Sequence, residues 1–316
     1  MDAETASLTH GIFNSYKAAG GRVDHIKVTT DPEEATKITR LRGAQACYAW
    51  PASTLQPRKL VAHIMRSNLE KGVNLQTFTT ARSVSTSPSE THRWTVYTDR
   101  GAISCDNVVH ASNAYAPAYE PSLRPLIRPK PHMCNKVLPP LAFSGSGALR
   151  HSYGVLMPDG SLFSINPRSG SDGVVMFGGS NPGQNKLDDW IHEHPEHCVD
   201  DGLANVKMVT DEVRQFAETS FEGWKESVDR DGLGPGQGFD YSWCGIIGMA
   251  ADGVPAVGEL PGKPGQWVCA GHCGHGMART FKAAPGLVKL MNGESWAETG
   301  LPEAFQLTQE RLARLR

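Results

Sequence analysis

No run of about 18 consecutive apolar residues occurs in the chain, so it offers no membrane-spanning helix. The opening residues Met1 to Ser7 carry neither a basic stretch nor an apolar one, which argues against a secretory leader. Seven cysteines are present, an odd number with no Cys-x-x-Cys pair, so neither a disulfide framework nor a paired-cysteine zinc site is indicated. Reduced thiols in a cytoplasmic protein are the expectation. No Gly-x-Ser-x-Gly nucleophile elbow occurs, which leaves a serine-hydrolase reading without support. The formal net charge is only −2, so neither nucleic acid nor an anionic membrane surface is favoured as a partner. The chain does not end in a Ser-Lys-Leu address.

What is present is an ordinary globular composition, with enough apolar residues over 316 positions for one large or two modest domains. Residues 3–19 place Leu8, Ile12, Tyr16 and Ala19 at helical spacing, and Gly20-Gly21 ends the run. Asp31-Pro32-Glu33-Glu34 predicts a helix start, with an N-cap aspartate, proline at the first position and acids in the first turn. After Pro57, Leu60, Val61, Ile64, Met65 and Leu69 form one helix face that Gly72 stops. The period then changes to two. Strands are predicted over 73–79, 93–98, 102–104 and 107–114, and again over 136–138, 154–157, 161–166 and 174–177. Thr210-Asp211-Glu212 predicts a helix cap, with Val213, Phe216, Ala217 and Ser220 along one side. The glycine-rich run 232–238 reads as a flexible loop rather than a phosphate loop, because no helix pattern follows it.

Tyr241 to Met277 is the most informative stretch. Three apolar runs (243–249, 254–258, 267–270) are separated by the turn dipeptides Asp252-Gly253 and Pro261-Gly262. The last run feeds Gly271-His272-Cys273-Gly274-His275-Gly276, and a helix pattern follows to about residue 292, which Pro285-Gly286 should kink or divide. Glycines between a strand and a helix let backbone approach a ligand closely, and the free amides at the helix start would face an electron-rich group. In order, Trp-x-Gly-Ile-x-Gly, Asp-Gly-x-Pro-x-Val-Gly and Ala-Gly-x-x-Gly-His-Gly-Met resemble the C-terminal flavin-binding signature of the D-amino-acid oxidase and sarcosine oxidase superfamily. The similarity is greatest to the fungal and bacterial FAD-dependent oxidoreductases that oxidise amines and amino acids. Val108 to Ala114 resembles the family segment that passes beside the cofactor.

The resemblance implies an α/β fold of mixed α+β character: a partial FAD-binding lobe joined to an antiparallel substrate-domain sheet with flanking helices. The expected boundaries are 1–123 with 241–316 for the nucleotide-binding lobe and its interleaved elements, and 124–240 for the substrate sheet. It implies FAD as cofactor, a small amine-type substrate, and hydride transfer from the carbon beside the amine nitrogen. Its cofactor-facing positions fall on Gly271, His272, Gly274, His275, Gly276, Met277, Ala111, Asn113 and Trp243. Ala111 to Ala114, Gly271 to Met277 and the strands of 154–178 are expected to converge on one pocket. For catalysis only His275 and Arg168 offer themselves. His275 better suits a hydrogen bond to flavin or a helix cap, and Arg168 better suits a surface arginine. Cys244 lies near where some relatives attach flavin, yet it reads better as a small buried thiol. His192, His194, His197 and Cys198, with Asp188 and Asp189, have no recognised zinc spacing, so no metal is expected.

The family's opening strand, Gly-x-Gly-x-x-Gly turn and helix has no counterpart in these residues. Without it the pyrophosphate of FAD would lose the amides that normally neutralise it, and tight FAD binding by these residues alone is not expected. The alternatives are a truncated or degenerate cofactor-free relative that binds a small molecule or catalyses a non-redox step, and one half of a split flavoprotein. A homo-oligomer or a complementing chain would be the partner.

Overall fold

The computed structural model describes residues 2–88, 90–224 and 241–315. The expected loop at 232–238 lies outside them. In chain order the elements are α1 (Ala3–Ala18), β1 (Lys27–Thr29), α2 (Pro32–Thr39), β2 (Cys47–Ala49) and α3 (Pro57–Glu70). Next come β3 (Ala81–Thr86), β4 (Trp94–Thr98), β5 (Gly101–Cys105), β6 (Val108–His110), α4 (Ala116–Tyr119) and β7 (Ile127–Val137). They are followed by β8 (Tyr153–Leu156), β9 (Leu162–Pro167), β10 (Val175–Gly178), α5 (Pro182–Glu193) and α6 (Lys207–Ser220). The chain continues through β11 (Tyr241–Ala250), β12 (Ala256–Glu259), β13 (Gln266–Ala270), α7 (Gly276–Met291), α8 (Trp296–Thr299) and α9 (Gln309–Arg314). This is the mixed α/β fold expected. No described helix is long and apolar enough to cross a membrane.

The chain divides into two compact units. Unit 1 holds residues 1–62 and 132–245, and unit 2 holds 63–131 and 246–316. The boundaries expected from sequence instead set 1–123 and 241–316 against 124–240.

Unit 1 is organised by the sheet order β11-β7-β10-β9-β8, in which β10 runs antiparallel to both β7 and β9. Its core is aromatic. The Phe163 and Phe216 rings stack 3.9 Å apart, and Phe143 lies 4.8 Å from Trp224. The amphipathic helix α6 buries Val209, Val213, Phe216 and Ala217, spaced to form one stripe. Thr210 does not cap it, contrary to expectation. The helix begins at Lys207, and the Thr210 hydroxyl faces inward to Asn135 Oδ1 at 3.2 Å. The expected cap at Asp31 is present: its carboxylate accepts the Glu34 amide at 2.8 Å, with Pro32 at the first helical position.

Unit 2 contains the antiparallel sheet β3-β4-β5 and a second sheet in the order β12-β13-β6. In the latter β12 is antiparallel to β13, and β6 is parallel to it with Val109 opposite Trp267. The strand expected at 73–79 does not form. Phe78 there is 96% exposed, and Val73 and Leu75 are exposed too. An extended segment becomes a strand only beside a partner, and no described strand pairs with this one. The strand expected at 107–114 shortens to β6, because Asn113 takes a left-handed backbone (φ +49°) and turns the chain into α4. Helix α7 runs through Pro285 as one element instead of dividing. The adjacent Gly286 lets it press on its neighbour, since a β-carbon there would stand 2.7 Å from Leu301.

The C-terminal tail is tied in by Arg311, only 3% exposed. Its guanidinium donates to both oxygens of Asp252 at 2.8 and 2.9 Å, and to the carbonyls of Val254, Pro255, Phe305 and Gln306. Burial alone would raise the Asp252 pKa. The hydrogen bonds and charge of Arg311 outweigh it and hold the carboxyl below its ordinary value. Stability from this pair is therefore complete above the unfolded pKa of about 3.9 and is lost as pH falls through the lower folded value. Arg311→Leu should destabilise by roughly 3 kcal/mol at pH 7, the low end for breaking a buried pair, since Asp252 keeps partial exposure. Urea denaturation at pH 7 and pH 3 should show the gap between variant and wild type narrowing at the lower pH.

Candidate functional site

The turn from β13 into α7 uses left-handed backbone at Gly271 (φ +76°), Cys273 (φ +54°) and Gly274 (φ +74°). Glycine adopts this conformation without penalty, whereas Cys273 does so under constraint. The constraint is visible. The Cys273 amide donates to the Gly248 carbonyl at 2.9 Å, and its sulfur receives the Ala250 amide at 3.2 Å. From the turn after β6, Asn113 Oδ1 accepts the amides of Gly271 at 2.9 Å and His272 at 3.2 Å. These bonds face inward. The amides of Gly274, Gly276 and Met277, at the start of the 16-residue α7, have no backbone acceptor among the described residues. They carry the positive end of the helix dipole.

Beside this helix start lies a cavity of about 590 Å³, within the usual range for small-molecule sites. One wall is Val109, Ala111 and Asn113, continued by Ile246 and Ile247. The other is Gly274, Gly276, Met277 and Thr280, then Ala284, Leu287, Val288 and Met291 along α7. Cys269 and His272 also line it. The surface is mostly apolar, suited to a flat ring edged by a few polar atoms.

His272 is 8% exposed, with Nε2 3.8 Å from Cys269 Sγ and Nδ1 without a hydrogen-bond partner. Burial, and secondarily the charge of Arg279, lower its pKa. Burial pushes the Cys269 thiol up to about 11. The pair is thus a neutral imidazole and a thiol at pH 7, not a thiolate–imidazolium couple.

Ala111, Asn113, His272, Gly274, Gly276 and Met277 therefore come together around the cavity, and Gly271 anchors its loop. His275 does not line it. It sits at the N-cap position of α7, but its Nδ1 turns back to the Cys273 carbonyl at 2.7 Å and caps nothing. The strands of 154–178 belong to unit 1, whereas the lining residues of the cavity belong to unit 2. Trp243 also lies in unit 1, its ring 5.7 Å from Tyr241. Arg168 is ion-paired to Asp172 at 3.2 Å across a surface turn, and Cys244 is a buried thiol raised in pKa by burial. His194 and His197 pack against Trp190, with centroids 4.6 and 4.9 Å away, and His197 bonds Asp200. Beyond Met277, sequence reasoning missed the outer face of α7. Thr280, Ala284, Val288 and Met291 follow Met277 at helical spacing, and that signal was available.

A folded-state pKa below 6.5 means that His272 contributes stability above that pH, lost as pH falls toward the folded value. His272→Asn should therefore show a smaller fall in Tm between pH 7 and pH 5 than wild type. Equal falls would mean that His272 titrates normally.

A family model described as FAD dependent oxidoreductase matches residues 7–287. Among solved structures, glycine oxidase from Geobacillus kaustophilus superposes with a TM-score of 0.70 at 19% identity, over 98% of this chain and 73% of that one. L-proline dehydrogenase from P. horikoshii gives 0.66 at 16% identity, over 93% and 71%. Iminodiacetate oxidase from Chelativorans sp. BNC1 gives 0.65 at 16%, over 97% and 73%. No curated protein sequence matches the chain.

Proposed function

Because the chain belongs to the FAD-dependent oxidoreductase family, we propose that it serves the flavin-dependent oxidation of the C–N bond of an amine or amino acid. The observation that carries this reading is the apolar cavity at the start of α7, with three lining residues whose amides find no backbone acceptor among the described residues. The residues fit an isoalloxazine ring: Val109, Ile246 and Val288 offer apolar surface, and the amides of Gly274, Gly276 and Met277 suit its electron-rich edge. Bound there, flavin would supply the two-electron acceptor. The chain's own share is to hold the ring, exclude water with the apolar wall of α7, and keep His272 neutral beside it. We assign unit 2 to the nucleotide-binding role and the antiparallel sheet of unit 1 to the substrate. Neighbours named for glycine, L-proline and iminodiacetate support a small amino-acid-like substrate, since all three carry an amine nitrogen and a carboxylate.

The pyrophosphate half of FAD finds no Gly-x-Gly-x-x-Gly turn in these 316 residues. Each charge-assisted hydrogen bond not made is worth about 1.5–3 kcal/mol, so three weaken binding by on the order of 10³-fold or more. The purified 316-residue chain should be colourless and should bind added FAD only at micromolar or weaker levels. A yellow protein with near-stoichiometric flavin would overturn this. Gly274→Val should weaken the residual binding further, because its φ of +74° costs a β-branched residue roughly 1–2 kcal/mol. Gly276, without a left-handed φ and with ordinary contacts around a β-carbon, should respond only through steric approach to the ligand.

A second reading, one half of a split flavoprotein, is favoured by the free side of β6. The Val108 amide bonds inward to Gly265, so by alternation the N–H and C=O of Val109 point away from β13 to an edge with no described strand. A separately expressed strand–glycine turn–helix fragment should then restore flavin absorbance and amine-dependent oxygen uptake. Failure of both, with the fragment folded, counts against complementation.

A further inference from the structure

Two successive amides, Gly271 and His272, converge on one point, forming the kind of backbone concavity that elsewhere holds an anion. Here the point is occupied from within by Asn113 Oδ1. Asn113 itself holds a left-handed backbone, φ +49°, which costs a non-glycine residue energy unless its surroundings fix it. Gly248 leaves the room: a β-carbon there would stand 2.7 Å from Asn113 Oδ1 and 2.9 Å from the Ala114 amide. The Gly248 carbonyl in turn receives the Cys273 amide. The turn after β6, strand β11 and the turn after β13 thus meet at one carboxamide.

We propose that Asn113 is a positioning residue: its side-chain oxygen fills the concavity at Gly271 and His272, and so fixes the direction in which Gly274, Gly276 and Met277 present their amides. The loop's amides divide into an inward set held by Asn113 and Gly248 and an outward set left for a ligand. Gly271 then serves the loop's conformation and not ligand contact. Only one acceptor oxygen is required, so aspartate should substitute for asparagine in the latch, whereas glycine should keep the left-handed backbone and lose the latch. The consequence for flavin rests on the function proposed above, but the latch does not.

The test uses the full 316-residue chain and site-resolved amide exchange by NMR, with FAD titration as a separate arm. Asn113→Gly should speed exchange at Gly271 and His272 by about tenfold or more, and Asn113→Asp should restore most of the protection. Gly248→Ala attacks the same contact from the opposite side and should raise exchange at the same two amides, which covers the case of an Asn113→Gly that does not fold. Unchanged exchange in a folded Asn113→Gly or Gly248→Ala overturns the proposal, as does an Asn113→Asp that exchanges as fast as the glycine variant. FAD affinity should fall about tenfold in Asn113→Gly and recover partly in Asn113→Asp. Faster exchange with unchanged FAD affinity would leave the latch standing and refute the flavin reading of the loop.

Discussion

The turn from β13 into α7 is the constraint on which the rest of unit 2 depends. Within four residues it places three left-handed conformations, one of them at a cysteine. Such a backbone persists only when its surroundings over-determine it. Three contacts do so here: Asn113 Oδ1 on two amides, the Gly248 carbonyl on the Cys273 amide, and the Ala250 amide on the Cys273 sulfur. They come from the turn after β6 and from β11, so the start of α7 is aimed by two segments that precede it in the chain. The same aim sets which amides face the cavity.

Glycine has three separate duties around this turn. At Gly271 and Gly274 it supplies a positive φ. At Gly248 it supplies room, because any β-carbon would collide with the Asn113 carboxamide. At Gly276 neither applies, since φ is not left-handed and a β-carbon would meet only ordinary contacts at 3.6 Å or more. What remains for Gly276 is approach: it opens the helix at the rim of the cavity, where a side chain would stand between the amides and whatever binds.

The order of motifs from Tyr241 to Met277 carried the family into view from sequence, and it pointed to the turn beside which the cavity lies. Asp252-Gly253, Gly271 and Gly274 all lie where the turn chemistry requires them. The Asp31-Pro32 cap was legible for the same reason: its physics is confined to four residues. What sequence could not supply was non-local. Residues 73–79 have the composition of a strand, yet a strand exists only through a neighbour's backbone, and none lies beside them among the described residues. Thr210 looked like a cap because it precedes two acids, but a hydrogen bond to Asn135, 75 residues earlier, places it inside the helix. Asn113 was read as a ligand contact from its place in a motif. That its carboxamide is committed to Gly271 and His272 is a fact of the tertiary fold alone.

Helix α7 is apolar on two faces. The inner face, with Ala283, Gly286 and Leu287, is buried against residues such as Leu301 and Val257. The outer face, with Met277, Phe281 and Val288, is exposed. A helix apolar on both sides belongs in an interior, so the outer face calls for a covering group. The cavity between that face and β6 makes two different demands. At the start of α7 the demand is for an electron-rich atom, which a ring carbonyl or an anion meets. At Val109 it is for a donor and an acceptor spaced as in a strand, which a flat ring does not meet but an added strand does. In the function proposed above, a flavin and a complementing strand would therefore answer separate parts of one surface. A flavin alone would leave the Val109 groups to water, and only an added strand would remove them from it.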